Sequence, residues 1–343
     1  MSASPAATPV AILGAGSWGT ALAIHLARRG APVRLWARDA ALAREIRETG
    51  ENRRYLPGFS LAARGAATGD AADALRGSGL VVLAIPSQFV RATMAPLTTH
   101  LEPGAIIVSA TKGMEPDRGL RMSELLAELA PEHPIAVLSG PSFAREVALG
   151  RPTALVAACE RLEVARAAQD ALAGPALRIY TNRDVLGVEL GGALKNVIAI
   201  AAGLSDSLAL GENARAALVT RGLAEIARLG VALGASARTF AGLAGLGDLV
   251  LTATGTQSRN RALGLAIGRG TSLRDAEAST RTVAEGVRTV SSALRLARGA
   301  GVTLPICAAV AAVLFDGVPV ADALATLLAR EPRPEEEVDV SRA

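Results

Sequence analysis

The sequence predicts an α/β protein in which a doubly wound sheet is followed by an all-helical half, and three observations predict it. Short aliphatic runs alternate with helical patterns up to about residue 183. A glycine-rich turn directly follows the first of these runs. From about residue 184 the strand patterns stop and helical periodicity continues to about residue 330. Continuous apolar strands separated by helices imply a parallel sheet covered on both faces.

The expected strands are 10–13, 33–36, 80–85, 105–109, 135–138 and 153–157, with Asp39 and Asp70 as caps of the helices that follow. The expected helices of the second half are 184–204, 213–233, 257–268, 287–298, 305–315 and 320–328. Residues 1–9 and the charged, proline-bearing 331–343 read as disordered tails, 10–183 as a dinucleotide-binding domain and 184–330 as a helical substrate domain. The natural active site of such a chain is the cleft between the halves, at the carboxyl ends of the strands.

Half of the 343 residues are hydrophobic and a fifth are charged, enough for a large core. The net charge is +4, yet the arginines are interleaved with acids and no basic stripe carries aromatics, so a nucleic-acid surface is not expected. Cys159 and Cys307 lie far apart and the three histidines form no ligand cluster, which suggests neither a disulfide framework nor a metal site. No basic leader precedes the first apolar run and no uninterrupted stretch suits a membrane span; the expected compartment is a reducing cytoplasm. Self-association into a homodimer is left open.

The first chemical motif is GxGxxG, formed by Gly14, Gly16 and Gly19 between a strand and a helix. Such glycines allow the tight turn, close approach of backbone to a pyrophosphate, and packing of helix on strand. Directly after a strand, the motif favours a dinucleotide over a plain glycine-rich strand-to-helix turn. The second strand ends in Arg38 and Asp39. Arg38 suits the 2′-phosphate of NADP or is a solvated cation, while Asp39 is equally an N-cap; the expectation is NADP(H), with NAD also accepted.

The chain has only two lysines, Lys112 and Lys195, against 34 arginines. Burial can bring a lysine towards neutrality, which arginine resists, so these two are candidates for proton transfer. Lys195 follows Gly191 and Gly192, and Gly187 lies a turn earlier. Each glycine costs a helix about 1 kcal/mol relative to alanine, so something approaches closely there, either a packed helix or a ligand; the neighbouring ammonium favours the ligand. Asn196 is placed to orient a substrate oxygen.

Further on, Ser258, Arg259 and Asn260 fall at a helix start where N–H groups, a hydroxyl and a guanidinium can converge on a phosphate, although Ser258 also reads as a plain N-cap. Asp248 is either a loop acid or a partner for an ammonium or a substrate hydroxyl. Glu285, three residues after Thr282, fits a capping box. Gly140 and Ser142 follow a strand end and face the dinucleotide cleft.

Taken together, GAGSWGT (14–20), NRRYLPG (52–58), TKGME (111–115), SGPSFA (139–144), GGALKNVIA (191–199), AGLGDL (244–249), SRN (258–260) and VAEGV (283–287) resemble the bacterial NAD(P)-dependent glycerol-3-phosphate dehydrogenases. The resemblance runs from Val10 to about Leu328. It implies a Rossmann-like N-terminal domain, a helical substrate domain, and interconversion of dihydroxyacetone phosphate and sn-glycerol 3-phosphate, serving phospholipid synthesis. It also implies Lys195 as proton donor and acceptor, with Lys112, Gly140, Ser142, Lys195, Asn196, Asp248, Ser258, Arg259 and Asn260 around the substrate. The implied cofactor contacts are Gly14, Gly16, Ser17, Trp18, Gly19, Arg38, Tyr55, Lys112, Ala144, Arg259, Val283 and Glu285. Residues 205–213 lack glycines that this family often carries there. Two rivals are a β-hydroxyacid dehydrogenase of the same plan, which would choose a carboxylate over a phosphate, and a dinucleotide-binding sensor without turnover.

Overall fold

The computed structural model describes residues 8–61, 65–279, 284–331 and 334–335. Eight strands, β1 (Val10–Leu13), β2 (Val33–Trp36), β3 (Gly65–Thr68), β4 (Leu80–Leu83), β5 (Ile106–Ser109), β6 (Ile135–Ser139), β7 (Thr153–Ala158) and β8 (Leu177–Asn182), form one sheet in the order β3-β2-β1-β4-β5-β6-β7-β8. All neighbours are parallel except β6 and β7, which run antiparallel.

Alternation of side chains explains why these strands read as unbroken apolar runs. Val10, Ile12, Val33, Leu35, Leu80 and Val82 enter the core on one face; Ala11, Leu13, Trp36, Val81 and Leu83 enter the core on the other. The sheet order reverses between β1 and β4, so a crevice opens beyond their carboxyl ends.

Two strands were not anticipated. β3 reads GAAT, with little β-branched signal. β8 alternates buried Leu177 and Ile179 with exposed Arg178 and Tyr180, as an edge strand does. The fourth strand ends at Leu83, earlier than the expected residue 85, because the chain turns there toward Pro86.

After Asn182 the described chain is helical. Its axis is the helix Val185–Ser207, buried from Gly187 to Leu204 and surrounded by Gly211–Ala232, Asp248–Thr254, Arg259–Gly268 and Glu285–Gly299. By length and composition this helix could cross a membrane, contrary to the expectation from sequence. Here 89% of that stretch is buried inside the protein, so its apolarity is that of a core element. Gly264 shows how close the packing is, since a Cβ there would lie 2.1 Å from the carbonyl oxygen of Ile200.

Several contacts hold the two halves together. Glu189, on the central helix, accepts from the backbone N–H of Ser123 (2.8 Å), its hydroxyl (2.6 Å) and Arg121 (2.7 Å). Arg295 donates to the carbonyl of Pro116 at 2.7 Å.

Candidate active site

The glycine turn has the geometry its spacing predicts. Gly14 has φ +117°, and a Cβ on it would meet the carbonyl oxygen of Ala84 at 2.6 Å. A Cβ on Gly19 would lie 2.0 Å from the Gly14 carbonyl oxygen, so this residue lets the helix Ser17–Arg28 sit against the strand. A Cβ on Gly16 would meet nothing within 4 Å. That open face, with a helix start capped by no side chain, leaves backbone N–H groups for an anion. Ser17 donates its hydroxyl to the Tyr55 carbonyl at 2.7 Å, and Trp18, Tyr55 and Ala144 pack at the edge of the core beneath.

At the end of β2, the Arg38 guanidinium lies 5.4 Å from the centre of the Phe89 ring. Asp39 does cap the next helix, accepting from Ala41 (2.9 Å) and Leu42 (3.3 Å), and also pairs with Arg54 at 3.1 Å.

The two lysines meet at one carboxylate. Asp248 is 1% exposed; its Oδ1 lies 2.5 Å from Lys195 Nζ and its Oδ2 lies 2.7 Å from Lys112 Nζ. Lys112 also donates to the Gly140 carbonyl (2.7 Å) and to Ser142 Oγ (3.3 Å), which in turn donates to the same carbonyl (3.0 Å). Lys195 donates to Thr252 Oγ1 at 2.7 Å, and that hydroxyl spends its proton on the Asp248 carbonyl at 2.7 Å. While Lys195 is protonated, two ammoniums facing one carboxylate leave a surplus of positive charge, which suits an anionic substrate.

Burial is the largest influence on Lys195. It lowers the ammonium from its ordinary value to about 7; the Asp248 charge opposes this and the Lys112 charge adds to it. Glu285 is pushed up to about 7 by burial, against the attraction of Arg259, the Ser87 backbone N–H, Lys195 and Lys112. Glu285 therefore faces Ser87 and Gly113 of the first half. Ala284 caps that helix with no side-chain bond, and Thr282, the other half of the expected capping box, lies outside the described residues together with Val283.

Asn196 donates to the Lys112 carbonyl at 3.1 Å and accepts from Asn260 Nδ2 at 2.9 Å, while Asn260 Oδ1 accepts from the Gly286 N–H at 3.0 Å. Through one N–H and its oxygen, the Asn260 amide links Asn196 on the central helix to the start of the helix Glu285–Gly299. Ser258 caps the helix Arg259–Gly268, accepting from the Arg261 N–H at 3.2 Å, and leaves Arg259 exposed at the helix start within electrostatic range of Glu285.

The glycines before Lys195 receive a different explanation from the one expected. A Cβ at Gly191 would lie 2.6 Å from the Ala244 carbonyl oxygen, and one at Gly192 would lie 2.5 Å from Ser139 Oγ. Protein fills the space that the sequence reading gave to a ligand. The Lys195 Nζ is held by Asp248 and Thr252. Asp248, expected in a loop, opens the helix Asp248–Thr254, one turn before Thr252. Thr252 was missed; its signal is the four-residue spacing after Asp248 on a helix.

Residues of the cleft also fit a nicotinamide dinucleotide. Besides the open face at Gly16, Ser87 Oγ and Gln88 Oε1 after β4 are buried with no hydrogen-bond partner among the described residues, and Ser87 lies beside Gly113. Buried orphan polar atoms of this kind await a polar ligand.

A nucleotide turn and a poised, buried amine on either side of one cleft define a two-domain nicotinamide-dependent oxidoreductase. The family model for the N-terminus of NAD-dependent glycerol-3-phosphate dehydrogenase matches residues 9–165, and that for its C-terminus matches 184–325. The chain belongs to this family. It is 50% identical to the glycerol-3-phosphate dehydrogenase (NAD(P)+) of Moorella thermoacetica over 327 residues, 95% of this chain and 97% of that protein. The Geobacter sulfurreducens enzyme of the same name is also 50% identical, over 95% of this chain and 98% of its own. The crystal structure of glycerol-3-phosphate dehydrogenase from Coxiella burnetii superposes with a TM-score of 0.91 at 39% identity, covering 95% of this chain and 100% of that one.

Proposed function

We propose that this chain catalyses the reversible NAD(P)H-dependent reduction of dihydroxyacetone phosphate to sn-glycerol 3-phosphate. The observation that carries the reading is the buried Lys195 amine, brought near neutrality and held 2.5 Å from Asp248, whose other oxygen holds Lys112. When bound, the reduced nicotinamide supplies the hydride. Lys195 gives its proton to the carbonyl oxygen of the substrate, and in the reverse direction takes it from the hydroxyl. Asp248 and Thr252 fix the direction of Nζ and replace the solvation the buried ammonium has lost.

Lys112, with Gly140 and Ser142, forms the second cationic wall of the site. Arg259 and the N–H groups at the start of its helix take the substrate phosphate, and Asn196 orients an oxygen of the substrate from the position at which Asn260 locks it. Residues 10–183 bind the dinucleotide and 184–330 complete the substrate site. NADPH is the preferred cofactor through Arg38, and the product serves glycerophospholipid synthesis in the cytoplasm.

The test is spectrophotometric: oxidation of NADPH and of NADH with dihydroxyacetone phosphate, and with a 3-oxo acid as a carboxylate control. Turnover restricted to the phosphate substrate is expected. Turnover with the carboxylate alone would assign the chain to the hydroxyacid branch, and tight NADPH binding without turnover on either would make it a sensor.

A further inference from the structure

The NRRY segment, residues 52–55, is pinned to the nucleotide turn. Asn52 is 1% exposed and donates Nδ2 to the Ala15 carbonyl (2.9 Å) and Thr20 Oγ1 (2.8 Å), while its Oδ1 accepts from the Tyr55 N–H (3.2 Å). Ser17 Oγ adds a further tie to Tyr55. This anchoring carries Arg54 to the tip of β2, where its guanidinium lies 3.1 Å from Asp39 Oδ2 and 5.2 Å from the centre of the Tyr55 ring.

Asp39 cannot turn away from this spot without uncapping its helix, because Oδ1 accepts the Ala41 and Leu42 N–H groups. A carboxylate at the end of the second strand suits a ribose 2′-hydroxyl and repels a 2′-phosphate, which carries about −1.5 to −2 charge. Arg38, immediately before it, has the opposite preference. The strand end thus presents a cation, a fixed anion, and a second cation that neutralises the anion.

We propose that Arg54 tunes the cofactor preference that Arg38 confers. Paired with Asp39, it masks the carboxylate and offers, with Arg38, a second guanidinium to a 2′-phosphate; turned outward, it leaves Asp39 to a 2′-hydroxyl. One strand end then serves both cofactors. The inference rests on the reading that the adenosine ribose of the dinucleotide lies at the end of β2.

The test is calorimetric binding of adenosine 2′,5′-bisphosphate and of 5′-AMP to the substrate-free protein, alongside the ratio of kcat/KM for NADPH and NADH. Arg54→Ala is expected to weaken the bisphosphate about tenfold, the worth of one charge-assisted hydrogen bond, and to leave 5′-AMP within about twofold. Adding Asp39→Asn, which retains an N-cap, is expected to restore most of that loss. Arg38→Ala is the comparison. If it weakens the bisphosphate while Arg54→Ala weakens both ligands equally or neither, the role of Arg54 is overturned and the placement of the ribose stands. If neither variant changes discrimination between the two ligands, the placement itself fails and the proposal with it.

Discussion

Lys195 Nζ stands 2.5 Å from Asp248 Oδ1, and neither side chain is more than 7% exposed. The carboxylate holds up the proton affinity of an amine that burial pulls down, while its other oxygen neutralises Lys112. Asp248→Asn removes the charge but keeps the shape, and turns an N–H₂ toward one of the two ammoniums. Removing one partner of a buried pair costs about 3–5 kcal/mol, less here because Lys195 can shed its proton. Thermal unfolding is expected to show a larger loss at pH 6, where Lys195 is charged, than at pH 8. An equal loss at both would mean that Lys195 does not depend on this carboxylate.

The pH dependence of turnover follows from the same amine. Reduction needs the ammonium, so its kcat/KM is expected to fall as pH rises through about 7. Oxidation of the alcohol needs the neutral amine, so its kcat/KM is expected to rise over the same interval. Opposite limbs in the two directions are the signature of one group. Lys195→Arg keeps a cation without a proton to give, and is expected to cut turnover by about 10²- to 10⁴-fold while leaving NADPH binding nearly unchanged. Parallel pH profiles in both directions, or undiminished turnover in the variant, would remove Lys195 from proton transfer.

Much of this arrangement could be read from the residues alone, because its signals are local. The apolar runs marked six strands, the glycine spacing marked the nucleotide turn, and the scarcity of lysine pointed to Lys112 and Lys195. Most of what escaped depends on contacts distant in sequence. β3 carries GAAT, and pairing with β2 rather than side-chain preference makes it a strand. The glycines at 191 and 192 looked like room for a ligand; only the folded chain shows the Ala244 backbone and Ser139 against them. Thr252 has no meaning until Asp248 opens a helix. Ala209 takes φ +53°, a conformation natural to glycine that its residue type does not announce.

Away from the cleft, Glu225 provides a stability test independent of catalysis. It lies 4% exposed at a cavity of about 660 Å³ between helices of the second half, accepting from the Ile306 (2.7 Å) and Cys307 (3.3 Å) N–H groups at a helix start. Burial raises its carboxyl to about 7, against those two N–H groups and the Arg228 and Arg330 charges. Between about pH 4.5, where an unfolded glutamate ionises, and about 7, the folded protein holds a proton that the unfolded chain has released. Its contribution is therefore fully present below 4.5, declines as pH rises to 7, and is constant above. The fall amounts to roughly 2–4 kcal/mol at about 1.4 kcal/mol per unit. Glu225→Gln cannot titrate, so the stability of the native chain minus that of the variant, from urea unfolding at steps between pH 4.5 and 8, is expected to fall across this window and then level. A difference that stays flat or climbs would mean that Glu225 is ionised in the folded protein throughout, with its two N–H partners outweighing its burial.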